Sequence, residues 1–192
     1  MDRKVFKKKK DKLSSMFSRS LLSRDVTIPM SNIGDNLMNT LEQFIAFHFE
    51  NKCVIEGFVK AGSTKIVTFS SGEVIRGNMI KFNVVFECEI CFPVEGMLIS
   101  CVAQNITKAG IKAASADETP SPIVVFIARD HNYNNTAFSN VKLDEIFTVR
   151  VIGQRFELND KYISIIGEVV PSVTGQKDPP KHKAKPKIVI AN

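Results

Sequence analysis

Apolar and polar positions follow two different periods along this chain, and the switches between them mark its parts. MFSRSLLSRDVTI, from Met16, carries the two-residue alternation of a short strand. Pro29 and the run Ser31-Asn32-Ile33-Gly34-Asp35 break it. In GDNLMNTLEQFIAFHFE the period lengthens: Leu37, Leu41, Phe44, Ile45 and His48 share one face of a helix, and Asp35 or Asn36 stands ready to cap its start. His48, a lone histidine on that face, reads as a packed or half-exposed neighbour of the core rather than as a ligand. Period two then returns. KCVIEGFVKAG, TKIVTFSSG and GNMIKFNVVFECEICF are rich in β-branched and aromatic residues and are cut by Gly57, Gly62, Gly72 and Gly77. Residues 16–92 therefore predict an α+β unit, a helix laid on an antiparallel sheet.

From Pro93 the pattern is strands alone. MLISCVAQNIT is the first, with Leu98, Val102 and Ile106 assigned to one face. A Lys-Ala-Gly bend follows, where Gly110 can take backbone angles that a side chain would forbid. GIKAAS is the second strand, ADETPSP a loop and IVVFIAR the third strand. HNYNNTAFSNVKLDE is polar and sits where such barrels carry a helix or lid. IFTVRVIGQRFEL and KYISIIGEVV form a closing hairpin across Asn159-Asp160, residues that accept tight-turn angles. Five strands in this order predict an all-β OB-type barrel over residues 93–170, with one open binding face.

Charge adds two flanking segments. Of the formal +6, residues 1–12 hold +5 and residues 177–187 hold +4, which leaves −3 for residues 13–176. The body is mildly acidic, and residues 1–15 and the Pro/Lys-rich residues 171–192 read as a disordered basic arm and tail. Such ends suit electrostatic attachment to nucleic acid or a nuclear-import signal, and equally a plain solvated terminus. No run of eighteen apolar residues occurs, so no membrane span is expected. The basic start has no apolar stretch behind it, unlike a secretory signal.

The chemistry-bearing residues point away from catalysis. No phosphate loop, HExxH or nucleophile elbow is present. Cys53, Cys88, Cys91 and Cys101 lack a pairing pattern, which suits a reducing compartment. Cys88 and Cys91 have a CxxC spacing, but on a strand positions three apart point to opposite faces and cannot easily share a metal. Neither a metal nor another cofactor is expected. Binding fits better. Lys108 and Lys112 flank the bend glycine, Arg129 ends the third strand, Arg150 and Arg155 lie on the fourth, and Phe126, Tyr133, Phe156 and Tyr162 are interleaved with them. Guanidinium groups mixed with rings suit single-stranded nucleic acid, phosphates taking the charge and bases the rings. Phe126, Phe156 and Tyr162 are assigned to the barrel core, while Arg129 and Arg155 stay open between a solvated rim and nucleic-acid contact.

The order of segments resembles the seventh-subunit stalk protein of archaeal and eukaryotic RNA polymerases, a family also encoded by large nucleocytoplasmic DNA viruses. The segment from Met16 to Cys53 resembles the family's opening strand and helix. GEVIRGNMIKFNVVFECEICFPVEGML resembles the strand that feeds its barrel. VAQNITKAGI, FIARDH and VRVIGQRFELND resemble the first barrel strand and its bend, the end of strand three and the turn of strand four. The resemblance spans residues 16–170 and is closest to viral versions. It implies a non-catalytic subunit of a DNA-directed RNA polymerase. Residues 16–92 would form a tip that docks on the core, against the largest-subunit clamp region and a small core subunit. The barrel would contact nascent single-stranded RNA. Lys108, Arg129 and Arg155 fall where the family has Lys or Arg, with Arg150, Lys112 and Tyr133 beside them. The loops carrying Gly57, Phe58, Lys60 and Gly62, and Gly72 and Gly77, would form the docking wedge. Lys112 stands where related barrels often place an aromatic, which tilts the expectation toward a phosphate-driven, sequence-neutral grip. The family's fourth-subunit partner is left open. Location would be intracellular: infected-cell cytoplasm or virion for a viral chain, nucleus for a cellular one. A free-standing RNA-binding barrel, such as a translation-type factor, is the alternative, and an independent nucleic-acid enzyme would need a metal or phosphate site that the sequence lacks.

Overall fold

The computed structural model describes residues 16–34, 36–132 and 135–171. The basic arm, most of the basic tail, Asp35 and Tyr133 therefore lie outside the described residues. Eleven strands and three α-helices follow one another within them.

The first unit is organised around a single long strand, β6 (Met79–Cys91). β1 (Phe17–Pro29) pairs with it along all thirteen residues, from Phe17 opposite Cys91 to Pro29 opposite Met79. The short strand expected at Met16 is thus a long one, because the alternation continues: Arg19 reaches solvent while Leu22, Val26 and Ile28 turn inward, and Arg24, on their face, is held by Glu56 at 2.6 Å. On its other side β6 is tiled by three short antiparallel strands in succession: β3 (Gly57–Val59), β4 (Lys65–Phe69) and β5 (Glu73–Ile75). β2 (Cys53–Val54) pairs outside β3. Gly57 sits where a Cβ would come within 2.5 Å of the Cys91 carbonyl oxygen, so only glycine lets β3 approach β6 this closely.

One face of this sheet is covered by α1 (Leu37–Phe49). Leu41 and Ile45 are its fully buried residues and meet Val26, Val84 and Phe86, with Leu37, Phe44 and Phe49 half-buried around them. Burying a side chain of this size contributes about 1.5–3 kcal/mol, so two such residues suffice to hold a short helix. Asn36 is the cap residue but makes no side-chain capping bond. His48 falls beyond the buried stripe. It is exposed, its Nδ1 lies 2.9 Å from the Phe44 carbonyl, and its ring stacks on Phe44. The opposite face of the sheet is largely polar, with Asp25 bridged to Lys81 at 2.8 Å and Arg19 to Glu87 at 3.6 Å, and Leu21 exposed among them.

The second unit is a closed barrel of β7 (Leu98–Ile106), β8 (Gly110–Ser115), β9 (Ile123–Ala128), β10 (Ile146–Arg155) and β11 (Ile163–Val170). Around the barrel the order is β7-β8-β9-β11-β10 and back to β7, with β9 and β11 parallel and every other pair antiparallel. This is the arrangement of an OB-type barrel. The hairpin between β10 and β11 turns at Leu158-Asn159, one residue ahead of the expected Asn159-Asp160, with Asn159 at φ +68° and the Asp160 N–H donating to the Glu157 carbonyl at 3.2 Å. The polar connector holds α2 (Arg129–Asn132) and α3 (Thr136–Asn140).

Two assignments of strand faces are corrected. In β7 the inward residues are Ile99, Cys101 and Ala103, not Leu98 and Val102. Apolar side chains occupy both faces of this strand, so alternation alone does not choose between them. Ile106 does pack on the core, because the β7–β8 register slips between Ala103 and Asn105. Phe126 and Tyr162, assigned to the core, are 46% and 45% exposed. The barrel is filled instead by Val125, Ile127, Ile163 and Ile165 beside them, which leaves the larger rings no room inside. Phe156 is half-buried and packs edge-on against Phe92.

The barrel core does not stop at the barrel. Cys53, Phe58 and Cys91 of the sheet belong to the same buried cluster as Ile99, Ile123 and Ile163. Cys88 belongs instead to the cluster under α1. The two thiols of the CxxC spacing thus serve different cores, as strand geometry requires. Burial pushes Cys91 and Cys101 up to about 12 and Cys53 and Cys88 up to about 11, which keeps all four as unreactive thiols. Two polar ties add to the shared core. The Cys53 N–H donates to the Asp160 carbonyl at 2.8 Å, and the Asn159 N–H donates to the Cys53 carbonyl at 2.9 Å. Lys60 Nζ reaches Glu118 in the β8–β9 loop at 3.1 Å and Glu89 at 3.4 Å, above the ring of Phe17.

Candidate nucleic-acid interface

The outward face of β7, β8, β9 and β11 carries one continuous cross-strand row. Asn105 is opposite Lys112, Lys112 opposite Phe126, and Phe126 opposite Ile166. The row floors a mostly apolar groove, whose walls include Thr107, Ala109, Ala128 and His131. Ring and aliphatic side chain stand out to solvent here because Ile111, Val125, Ile127 and Ile165 already fill the interior from the alternate positions.

The bend at one end of the groove is built by close backbone approach. A Cβ on Gly110 would lie 2.2 Å from the Ile127 carbonyl oxygen. Thr107 closes the turn: its N–H donates to the Gly110 carbonyl at 2.8 Å, and its hydroxyl donates to the same oxygen at 3.1 Å. Lys108 is carried at the tip of this turn and is exposed. Neither Lys108 nor Lys112 has a hydrogen-bond or ion-pair partner among the described residues.

The arginines are differently placed. Arg129 opens α2 rather than ending β9. Its backbone N–H donates to the Ala109 carbonyl at 3.0 Å, its Nη2 donates to the Thr107 carbonyl at 3.0 Å, and its guanidinium covers the Phe138 ring. It locks the bend from behind. Arg150 and Arg155 lie on β10, across β11 from the Phe126 ring, and each holds a carboxylate: Glu168 at 2.8 Å and Glu157 at 3.1 Å. The fold thus brings Lys108, Lys112 and Arg129 together and sets Arg150 and Arg155 apart. Tyr133 lies outside the described residues.

Sequence reasoning missed Phe126 and Ile166 as surface residues, and also two asparagines that hold the groove's rim. Asn132 is buried; its Nδ2 donates to the Ala128 carbonyl at 3.0 Å and its Oδ1 accepts from the Val169 N–H at 3.4 Å. Asn135 Nδ2 donates to the Val169 carbonyl at 2.7 Å, while its Oδ1 caps α3 by accepting from the Ala137 N–H at 3.0 Å. Two side-chain amides thereby stand in for a strand along the end of β11. The asparagine-rich run Asn132-Tyr133-Asn134-Asn135 ahead of Thr136 was the available signal.

In the sheet, the residues assigned to a docking wedge are largely occupied within the chain. Phe58 is buried, Gly57 is pressed against Cys91, and Lys60 makes the ties described above. Gly62 and Gly77 take positive φ in turns, and Gly72 lies against Ile80 and Phe82. Exposed apolar side chains nearby include Ile55, Val67, Phe69 and Val74. Among the described residues no group of three or more His, Cys, Asp or Glu could hold a metal ion, and no helix is long and apolar enough to cross a membrane.

A closed barrel of the OB arrangement fused to a helix-on-sheet unit defines the class: a two-part β-rich protein with a groove on the barrel's outer face. No family model matches the chain. A protein of Acanthamoeba polyphaga mimivirus, named as a DNA-directed RNA polymerase subunit, is 23% identical to it over 179 residues, 85% of this chain and 86% of that one. The similarity therefore runs through both units.

Proposed function

We propose that this chain is a non-catalytic subunit of a multisubunit DNA-directed RNA polymerase, of the stalk type, and that its barrel holds nascent single-stranded RNA. The observation that carries the reading is the similarity to the mimivirus polymerase subunit along most of both chains, through sheet and barrel alike. The groove at Phe126 supports the RNA contact, since OB-type barrels bind single strands on the outer face beside the first bend. In this reading residues 16–92 are the tip that docks on the core, near the largest-subunit clamp and a small core subunit. Val67, Phe69 and Val74 supply apolar contact beside the loops at Gly57–Ser63 and Ser70–Gly77. Residues 93–170 project the groove toward the exiting transcript, and a fourth-subunit partner would share the stalk. A viral chain of this kind works in infected-cell cytoplasm or in virions.

The test is affinity purification of the tagged full chain from its native source, after nuclease treatment, with the co-purifying chains identified by mass spectrometry. Large polymerase subunits are the expected companions. A chain recovered alone, yet still able to bind RNA, would replace this reading with that of a free-standing RNA-binding barrel.

A further inference from the structure

We propose that the groove between Phe126 and Ile166 is a stacking subsite for one unpaired base, and that this contact, not the arginine set, gives the folded body its grip. The proposal rests on the reading of the barrel as a nucleic-acid face and specifies how that face works. Three observations carry it.

First, the arginines expected to hold phosphate have partners within the chain. Arg129 is bonded to the Thr107 carbonyl, Arg150 to Glu168 and Arg155 to Glu157. The part of the chain between the basic ends also has a net negative charge, which opposes a purely electrostatic hold on a polyanion. Second, the groove offers what a base needs. A phenyl ring is half-exposed on an apolar floor, Ile166 and Ala128 lie beside it, and Asn105 and His131 stand at the margin with polar atoms for a base edge. Third, Lys112 is the direct cross-strand neighbour of Phe126. Adjacent strands are about 4.8 Å apart. A single nucleotide can therefore lay its base on the ring and its phosphate at the ammonium.

The chain contains no tryptophan, so Phe126→Trp places a lone indole reporter in the groove. The full chain, F126W, F126A and K112Q are each titrated with a uridine octamer and, separately, with inorganic polyphosphate, which has charge and no bases. The octamer is expected to quench the indole of F126W at near-parental affinity, while polyphosphate binds without quenching. F126A is expected to bind the octamer more weakly by roughly five- to hundredfold, as for loss of one stacked base, with its polyphosphate affinity unchanged. K112Q should lower the slope of log affinity against log salt by about 0.7, one phosphate contact to a single strand. Parental octamer affinity in F126A, or no quenching in F126W, would overturn the proposal and leave a charge-only grip or a groove for a peptide. Because Phe126 lies on the surface, these variants keep the core intact. The outcome is separable from the polymerase reading: nuclease-resistant co-purification does not depend on the groove, and the titration does not depend on the polymerase.

Discussion

Removing the Asn132 side chain should loosen the rim of the groove by unpairing the end of β11. Asn132 is 3% exposed, and Asn132→Ala takes away the acceptor for the Val169 N–H and the donor to the Ala128 carbonyl. A buried backbone donor left without a partner costs about 1–3 kcal/mol, and the 3.4 Å length of its bond places this one at the low end. The shorter bond to the half-buried Ala128 carbonyl adds about 1 kcal/mol. The expected loss is therefore about 2–3 kcal/mol, or roughly 4–12 °C in Tm for a protein of this size. With no tryptophan to follow, urea and thermal melts are read by far-UV circular dichroism. Amide hydrogen exchange supplies the local readout: Val169 should lose protection while Val149, inside the barrel wall, keeps it. A midpoint within about 0.5 kcal/mol of the parent, together with a still-protected Val169, would refute the claim that the asparagine side chains replace a strand there.

Two further perturbations test the bend and one of the sheet's ion pairs. Gly110→Ala puts a methyl group into the Ile127 carbonyl and forces β8 off β9 at its first residue, with the Thr107 bonds strained as well. A loss of roughly 2–4 kcal/mol in a urea melt is expected, and a loss below about 1 kcal/mol would show that the turn gives way freely. Glu56 bonds Arg24 at 2.6 Å. Burial raises its carboxyl, but the Arg24 hydrogen bond, the backbone bond and the guanidinium charge together outweigh that and hold it below its ordinary value of 4.5. A depressed folded-state value means that the stabilisation is complete above the ordinary carboxylate range and is lost as pH falls through the folded value. Glu56→Gln should thus destabilise at pH 7, by on the order of 1 kcal/mol for a half-exposed pair, and converge with the parent in acid below about pH 3; a gap that persists there would assign the effect to packing.

Most of the barrel was legible because its signals are local. The turn at Asn159, the glycine bend and the polar connector are each fixed by residues within a few positions. Which face of β7 points inward was not legible, since Leu98, Ile99, Val102 and Ala103 offer an apolar choice on both sides and the register slip after Ala103 moves Ile106 across. Phe126 and Tyr162 were misplaced for a related reason: a barrel this small is filled by Val and Ile, and a ring on the alternate position has only solvent to face. The candidate site suffered most. Its cations were visible as residue types, but whether an arginine is free or bonded depends on carbonyls and carboxylates brought near by folding, as Thr107 is to Arg129. His48 shows the same limit in the helix, one step past the stripe that Leu41 and Ile45 bury.

The rung that joins Cys53 to Asn159 and Asp160 has a consequence for how such proteins can be re-engineered or diverge. Sheet and barrel cannot be exchanged as independent cassettes, because a transplanted barrel must bring a hairpin of matching length and a hydrophobic floor that accepts Phe58 and Cys91. Insertions in that hairpin should therefore be rarer than in the β8–β9 loop or the connector before β10, and a chimera that ignores the constraint would leave its two halves hinged rather than fused.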